Sequence, residues 1–480
     1  MRLGQTSAVY FGAKTVESVL GFLAMVYFAR VLGEEVIGHY SLILAVVAWI
    51  ALFGNVGFTQ AIIKRVSEGD EPSEFIYAGI AIKVILLALM VVVTLTFSST
   101  IDAYVGTEAT FFVVFLLVAK MAAALVNAVL QGSHLVHLYG VAISARQLSR
   151  TIFQVALVYL GFELTGMIVG YGAGALLVAL VAAAYVIPRP ARPTRRHVRS
   201  LFDYAKFSWL GSMRVQTFKY VDIIVLGIFV PAGLVGIYTI AYSIAKVLDV
   251  FGLAISKTLF PEMSERSSTD GATAVAGYVE DSLTFNGLFI IPGLVGSIFV
   301  GDLILAVYGP GFVEGEVVLP ILVFAVLIYA YNKQLLNALN SVDRPDLAFR
   351  ANSVFIGSNV LLNVVLVYFY GWVGAAVATG LSAGLALALS YRYATRVIGF
   401  DLPLGEVGRQ LLAAAVMGGF VYLLRDVTEP TAVATHVEVY AGVLVVCGAG
   451  VYLLALYLVS PVFRETVSRN LPFDTPVRYG

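Results

Sequence analysis

The chain has few of the features that stabilise or activate a soluble protein. It contains a single cysteine, Cys447, so it has neither a disulfide framework nor a metal site built from several thiolates. Charged residues make up only 12% of the chain, about half of the share found in a soluble domain. Walker loops are missing, and His134 and His137 have no third ligand nearby. We therefore expect no metal, no cofactor, no nucleic-acid partner and no enzymatic activity.

Apolar residues are what the chain has in excess. They occupy 60% of 480 positions, and the mean hydropathy is +0.90. A spanning helix needs roughly 20 apolar residues, so this amount suffices for about fourteen spans. The long apolar runs also differ from the roughly ten-residue alternating segments of an outer-membrane barrel. The composition predicts an all-α polytopic membrane protein.

Fourteen apolar runs are the predicted spans. They lie roughly at 7–31, 39–62, 74–98, 109–131, 141–160, 166–187, 205–229, 236–260, 279–300, 316–340, 350–370, 372–394, 407–424 and 437–459. The loops that follow odd-numbered spans contain a single basic residue, Arg425, and Arg30 lies at the edge of the first of these loops. The loops on the other side are rich in Lys and Arg. Because basic loops face the cytoplasm, we expect a multi-pass cell-membrane protein with both termini cytoplasmic.

A short basic segment, 188–200, divides the chain. It reads PRPARPTRRHVRS, in which three prolines oppose a regular helix and five arginines favour a solvated connector. We predict four regions: an N-terminal lobe at 1–187 with spans 1–6, a basic cytoplasmic linker at 188–204, a second lobe at 205–396 with spans 7–12, and spans 13 and 14 with a cytoplasmic tail at 397–480.

An internal repeat relates the two lobes. Gly38 and Tyr40 follow span 1, and Gly236 and Tyr238 follow span 7 at the same offset of 198 residues. Since six spans separate the copies, both halves enter the membrane in the same direction, which implies a pseudo-two-fold axis along the membrane normal. The predicted fold has two pseudo-symmetric six-helix lobes and two further helices.

Ionisable residues inside the spans are the main functional signal. A charge at the bilayer centre costs at least about 2.5–3.5 kcal/mol, so such residues usually face a cavity or a partner. Polar stripes from both lobes carry more cations than acids, which favours a cavity for a phosphate or pyrophosphate. We expect headgroup contacts from Lys14, Arg214, Lys219, Lys246 and Lys333, ion coupling or charge pairing at Glu17, Asp222 and Asp249, and a polar lining from Asn55, Asn127 and Asn337.

The same charges have a purely structural interpretation. Lys14 with Glu17, Lys219 with Asp222 and Lys246 with Asp249 are spaced i,i+3, and each pair could hold its helix together. Arg214, Lys120 and Lys333 have no such acid neighbour. Lys83 lies near the cytoplasmic side, where we expect it to snorkel to water.

Several motifs resemble polysaccharide-export flippases of the multidrug/oligosaccharidyl-lipid/polysaccharide superfamily. They are ARVLGEEVIGHYSL at 29–42, VDIIVLG at 221–227, GIYTIAY at 236–242, PEMSE at 261–265, and GWVGAAVAT at 371–379 preceded by Asn359 and Asn363. One departure is YAKF at 204–207, where such proteins often place a proline. The resemblance covers most of the chain, and the helix count agrees with it.

The resemblance implies a flippase for a lipid-linked oligosaccharide. Such proteins move a glycan on polyprenyl or dolichyl phosphate or pyrophosphate to the outer leaflet by alternating access, for surface polysaccharide or glycoprotein assembly. Candidate partners are membrane lipid, H+ or Na+, and a polysaccharide polymerase or glycosyltransferase. The alternative is a cation-coupled multidrug or small-molecule antiporter of the same superfamily, whose cavity should be dominated by acids. A membrane enzyme would need a long loop with clustered acids or histidines, and none exists.

Overall fold

The computed structural model describes residues 3–55, 57–188, 190–428 and 436–470, with side chains except at 3–19, 53, 55, 206–219, 469 and 470. The helices are α1 (Leu3–Asn55), α2 (Phe58–Ser67), α3 (Pro72–Thr96), α4 (Ser98–Val105), α5 (Thr110–Gly132), α6 (Val136–Tyr159), α7 (Glu163–Val186), α8 (Arg195–Phe229), α9 (Ala232–Val247), α10 (Val250–Asp270), α11 (Ala276–Ala306), α12 (Val318–Ser341), α13 (Pro345–Val397), α14 (Leu404–Thr428), α15 (Val437–Val459) and α16 (Pro461–Asn470). These ranges contain no β-strand.

Most predicted spans lie within one helix, whereas 39–62 runs from α1 into α2, 74–98 ends in α4, and 236–260 runs from α9 into α10. Of the helices in the described ranges, nine are long and apolar enough to cross a membrane, and α9 with α10, bent by 45°, forms a tenth candidate. α6, which carries Arg146 and Arg150, is not among those nine. The chain is an all-α polytopic membrane protein, as its composition predicts.

Two of the helices are each long enough for two spans. α1 and α13 have 53 residues each, or about 80 Å at 1.5 Å per residue, more than twice the roughly 30 Å hydrocarbon core. α1 bends at Gly33 (φ 77°) and α13 at Gly371 (φ 56°), values that glycine adopts readily. The predicted break at 371 is confirmed. The predicted loop at 32–38 is wrong, because the helix resumes directly after Gly33.

The chain forms two compact units, Met1–Gly236 and Ile237–Gly480. α8 therefore belongs to the first unit, although its residues correspond to the predicted seventh span. The lobe boundaries predicted from the repeat stay a prediction.

The basic linker is fastened to the first unit. Its second half is helical, because α8 begins at Arg195, with Thr194 after the last linker proline as its N-cap. Tyr77 on α3 donates a hydrogen bond to the Pro188 carbonyl at 2.9 Å. The His197 ring is buried and lies 2.8 Å from the Glu71 carboxylate through Nε2, while its Nδ1 accepts from the Thr194 backbone N–H. The described linker arginines, Arg192, Arg195, Arg196 and Arg199, are exposed as expected, whereas Pro188 and His197 hold the segment to α3 and to Glu71 before it.

The two glycines of the internal repeat, Gly38 and Gly236, each pack against the helix that carries the other. A Cβ on Gly38 would lie 1.8 Å from the Ala232 carbonyl oxygen, and one on Gly236 would lie 2.0 Å from the Glu34 carbonyl oxygen. Glu34 and Ala232 are separated by the same 198 residues as the two glycines. Each repeat therefore contributes the same glycine and the same carbonyl, so the crossing is two-fold symmetric in its contacts. The close approach of two backbones requires the absence of a side chain at both positions.

Ion pairs and polar contacts join the helices of the second unit. Arg425 on α14 donates to both carboxylate oxygens of Asp302 on α11, at 2.9 and 2.6 Å, and to the Phe299 carbonyl. Ser390 on α13 donates to Asn332 on α12 at 2.7 Å. These contacts hold α11 to α14 and α12 to α13.

Candidate anion-binding site

A polar cavity lies between α5, α6 and α7 in the first unit. Its volume is about 290 Å³. The lining residues are Lys120, Ala123, Ala124, Asn127, Arg146, Gln147, Arg150, Tyr171 and Ala175. The described part of this lining contains three cationic side chains and no acid.

Helix packing places the two arginines. Arg146, Arg150 and Gln154 are spaced by four residues and therefore share one face of α6. A Cβ on Gly174 of α7 would lie 2.5 Å from the Arg150 backbone nitrogen, and one on Gly170 would lie 2.5 Å from that of Gln154. Glycine at these positions lets the backbones of α6 and α7 approach closely. The same approach brings Tyr171 of α7 against Arg150.

Neutral groups hold the Arg150 guanidinium. Its Nε donates to Gln154 at 3.2 Å, a terminal nitrogen donates to the Tyr40 hydroxyl at 3.4 Å, and its carbon lies 4.2 Å from the centre of the Tyr171 ring. Gln154 is itself fixed, since it donates to Tyr40 and to the Met167 carbonyl. In the described part of the chain, Arg150 has no carboxylate partner.

Arg146 has a similar environment. It donates to the Asn127 side chain at 3.4 Å, and no acid among the described side chains pairs with it. Among the described side chains, no acid therefore compensates the positive charge of these two guanidinium groups beside the cavity. Two planar donors that are held in place by neutral partners suit the oxygens of a phosphate or pyrophosphate.

A second group of predicted cations lies in the second unit. Lys333 on α12 donates to both carboxylate oxygens of Asp249, at 2.8 and 2.7 Å. Lys246 on α9 lies 4.8 Å from the centre of the Tyr242 ring and also interacts electrostatically with Asp249. Asn337 is half-buried on the α12 turn after Lys333. The sequence places Asp249 near Lys246 on one stripe, but it does not predict the ion pair between helices.

Not all of the predicted residues can be placed. The side chains of Lys14, Glu17, Asn55, Arg214 and Lys219 lie outside the described residues. Asn127 lines the first-unit cavity, and Asp222 is half-buried on α8. These assignments stay predictions.

Lys83 does not reach water as expected. Its side chain is only 3% exposed, and it donates to the Thr59 hydroxyl of α2 at 3.1 Å. The expectation of snorkelling is wrong, because α2 packs over this face of α3 and supplies a polar partner.

Arg146 and Arg150 are the residues that sequence reasoning missed. Both lie within the predicted span 141–160. With Gln154 they form a polar stripe on one helix face, of the same kind as the polar stripes from which the sequence predicts an anion-binding cavity. That stripe is a signal that the sequence alone provides. Its pairing with Lys120 and Asn127 of α5 requires the tertiary structure.

An apolar cavity of about 280 Å³ lies in the second unit, between α9, α11, α12, α14 and α15. Its walls include Phe289, Pro292, Met417, Leu444 and Tyr452. Two of these helices, α14 and α15, lie beyond the predicted lobes. Because the lining is apolar, the cavity suits a hydrocarbon chain. Among the residues described, no three His, Cys, Asp or Glu side chains group closely enough to hold a metal ion.

The fold of this chain has a solved counterpart. It is similar to the solved structure of the lipid II flippase MurJ in an inward closed conformation, with a TM-score of 0.78 and 17% identity over 96% of this chain and 100% of the other. The family model described as polysaccharide biosynthesis protein matches residues 3–267. The chain belongs to this polysaccharide biosynthesis protein family, which confirms the resemblance seen in the motifs.

Two curated relatives match nearly the whole chain. The probable flippase AglR of Haloferax volcanii is 30% identical over 483 residues, which are 98% of each chain. The probable low-salt glycan biosynthesis flippase Agl15 of the same organism is 26% identical over 478 residues, covering 99% of this chain and 100% of Agl15.

Proposed function

We propose that this protein is a flippase that moves a lipid-linked oligosaccharide from the cytoplasmic to the outer leaflet by alternating access. Its cargo carries a glycan on a polyprenyl or dolichyl phosphate or pyrophosphate, destined for surface polysaccharide or glycoprotein. The observation that carries the proposal is the first-unit cavity, where Arg146 and Arg150 face open space with only neutral partners among the described residues. The family, and the names of AglR and Agl15, support the same activity.

Headgroup and tail have separate places in this proposal. The arginines and Lys120 bind the phosphate, and Lys14, Arg214, Lys219 and Lys333 are further proposed contacts. Part of the isoprenoid tail occupies the apolar cavity beside α14 and α15, where each buried methylene contributes about 0.8 kcal/mol. No covalent step is needed.

The antiporter alternative is weaker. A cavity for a cationic drug, or for the proton that drives its export, needs carboxylates that attract positive charge. Among the residues described, the first-unit cavity is lined by cations and by no acid, and in the second unit Asp249 is neutralised by Lys333. Both arrangements repel a cationic substrate.

The cargo is tested in a strain that lacks this protein. Because synthesis on the cytoplasmic leaflet continues when flipping stops, we expect a lipid-linked oligosaccharide to accumulate there and to disappear when the wild-type protein is restored. Lipid extraction with mass spectrometry identifies the glycan and its carrier. An unchanged lipid-linked glycan pool, together with increased sensitivity to cationic drugs, would support the antiporter instead.

The proposed orientation has both termini in the cytoplasm, with the linker on the same side. Arg199 in the linker and Glu314 in a loop predicted to lie outside are both exposed, so cysteines there should be reachable from one side each. In a background without Cys447, we expect an impermeant maleimide to label E314C in intact cells and R199C only after lysis. The reverse pattern would invert the topology.

A further inference from the structure

The two groups of cations differ in one respect, which is the presence of an acid. None of the described residues that line the first-unit cavity is a carboxylate. In the second unit, Lys333 already holds a carboxylate, that of Asp249, through hydrogen bonds to both oxygens. Two oxygens that share a negative charge and accept from one ammonium resemble the non-bridging oxygens of a phosphate. Asp249 therefore occupies the place that an anionic ligand of Lys333 would take.

The surroundings of the pair favour this interpretation over a simple helix clamp. The Lys333 and Asp249 side chains are 16% and 15% exposed, so the pair is accessible from one side. Lys246 adds a second positive charge beside the same carboxylate. The Asp249 carboxylate therefore interacts with two lysines at once.

Asp249 also lies where its side chain can move. It is the N-cap residue of α10 at the break between α9 and α10, and although its backbone carbonyl accepts from the Leu253 N–H, its side chain makes no capping hydrogen bond. Gly252, on the next turn, leaves room beside it, since a Cβ there would lie 2.8 Å from Asp249 Oδ1. A change of rotamer at this position therefore breaks no helical hydrogen bond.

We propose that Lys333 and Lys246 form a second phosphate site and that Asp249 is a tethered competitor which closes it until a phosphate displaces the carboxylate. The inference rests on the proposed function and adds a control element to it. The headgroup binds first to the open first-unit cavity, and engagement of the second unit requires exchange of one anion for another. The second unit is thereby kept from binding unrelated anions.

The test is equilibrium binding of inorganic pyrophosphate to the purified full-length protein, with polyprenyl phosphate in detergent as a second probe. Asp249→Asn keeps the shape and a hydrogen-bond acceptor for Lys333 but removes the competing charge. Since a charge-assisted hydrogen bond is worth about 1.5–3 kcal/mol, we expect both probes to bind at least about tenfold tighter. Asp302→Asn is the matched control, because Asp302 also pairs with a cation on another helix of this unit, and it should bind both probes as the wild type does.

A second background separates competition from loss of charge. Competition predicts that D249N tightens binding more when Lys333 is present than in the K333Q background. An equal or larger gain in K333Q would overturn the inference, because it would show a general effect of the acid. If D249N binds the probes no more tightly than the wild type while R150Q binds them more weakly, the inference is overturned and the proposed function stays intact. If R150Q and K333Q both bind like the wild type, the proposed function fails too.

A structure of the wild-type protein with bound pyrophosphate tests the same inference without a variant. We expect the Lys333 ammonium to contact the pyrophosphate and the Asp249 carboxylate to have turned away. An intact Lys333–Asp249 pair with pyrophosphate bound only in the first unit would contradict it.

Discussion

Arg150→Ala should abolish most transport while the protein still inserts into the membrane at normal levels. The Arg150 guanidinium lies beside a cavity without acids and is oriented by Tyr40, Gln154 and Tyr171. Loss of a charge-assisted contact of about 1.5–3 kcal/mol should reduce cargo binding by about 10- to 100-fold. The measurement is restoration of surface glycan in the deletion strain, compared at equal membrane abundance.

The lysine variant separates binding from structural support. Arg150→Lys keeps the charge but loses the planar fork and the stacking on Tyr171, so we expect only partial restoration. Arg199→Ala removes an exposed linker arginine and should restore surface glycan fully. If Arg150→Ala restores surface glycan as well as Arg199→Ala does, the cavity between α5, α6 and α7 does not bind the cargo.

Gly38→Ala should strongly destabilise the protein, although it adds only a single methyl group. The new Cβ would lie 1.8 Å from the Ala232 carbonyl oxygen, and a backbone atom cannot move away as a flexible side chain can. Overpacking of this kind costs about 1–3 kcal/mol or more. We expect the detergent-solubilised variant to lose its fold several degrees below the wild type in a thermal unfolding assay.

The repeat provides a second test and a control. Gly236→Ala should have a similar effect, because its Cβ would lie 2.0 Å from the Glu34 carbonyl oxygen. Gly357→Ala places a methyl group where no atom lies within 4 Å, so it should unfold at the wild-type temperature or above. Equal unfolding temperatures for Gly38→Ala and Gly357→Ala would contradict the symmetric glycine crossing.

The sequence predicts the helices well because their signal is local. A run of about 20 apolar residues must cross the membrane as a helix, since backbone polar groups find no other partner in lipid. The break at Gly371 is visible for the same reason, as two such runs meet there. The kink at Gly33 is not, because the residues after it are polar enough to resemble a loop, although they continue the helix.

The candidate site is less predictable because its contacts are not local. Cations inside spans indicate an anion-binding cavity, but not which of them share it. Arg150 faces open space only because glycines of α7 pack on the backbone of α6. Likewise, Asp249 is three residues from Lys246 in the chain, yet it accepts both hydrogen bonds from Lys333 of another helix. Lys333 and Asp249 are 84 residues apart in the chain, so tertiary packing determines that they pair. A polar stripe on one helix does not reveal such a pair.

Reconstituted transport tests the central claim most directly. Purified protein in proteoliposomes is given the lipid-linked oligosaccharide identified from the deletion strain, labelled in its glycan, and a membrane-impermeant lectin or glycosidase reports the leaflet that the glycan occupies. We predict that wild-type protein moves the glycan across the bilayer, that inorganic pyrophosphate in excess inhibits this movement, and that Arg150→Ala reduces it by at least about tenfold. Movement of the glycan at the same rate by wild-type and Arg150→Ala protein, with no inhibition by pyrophosphate, would contradict recognition of the phosphate by the first-unit cavity.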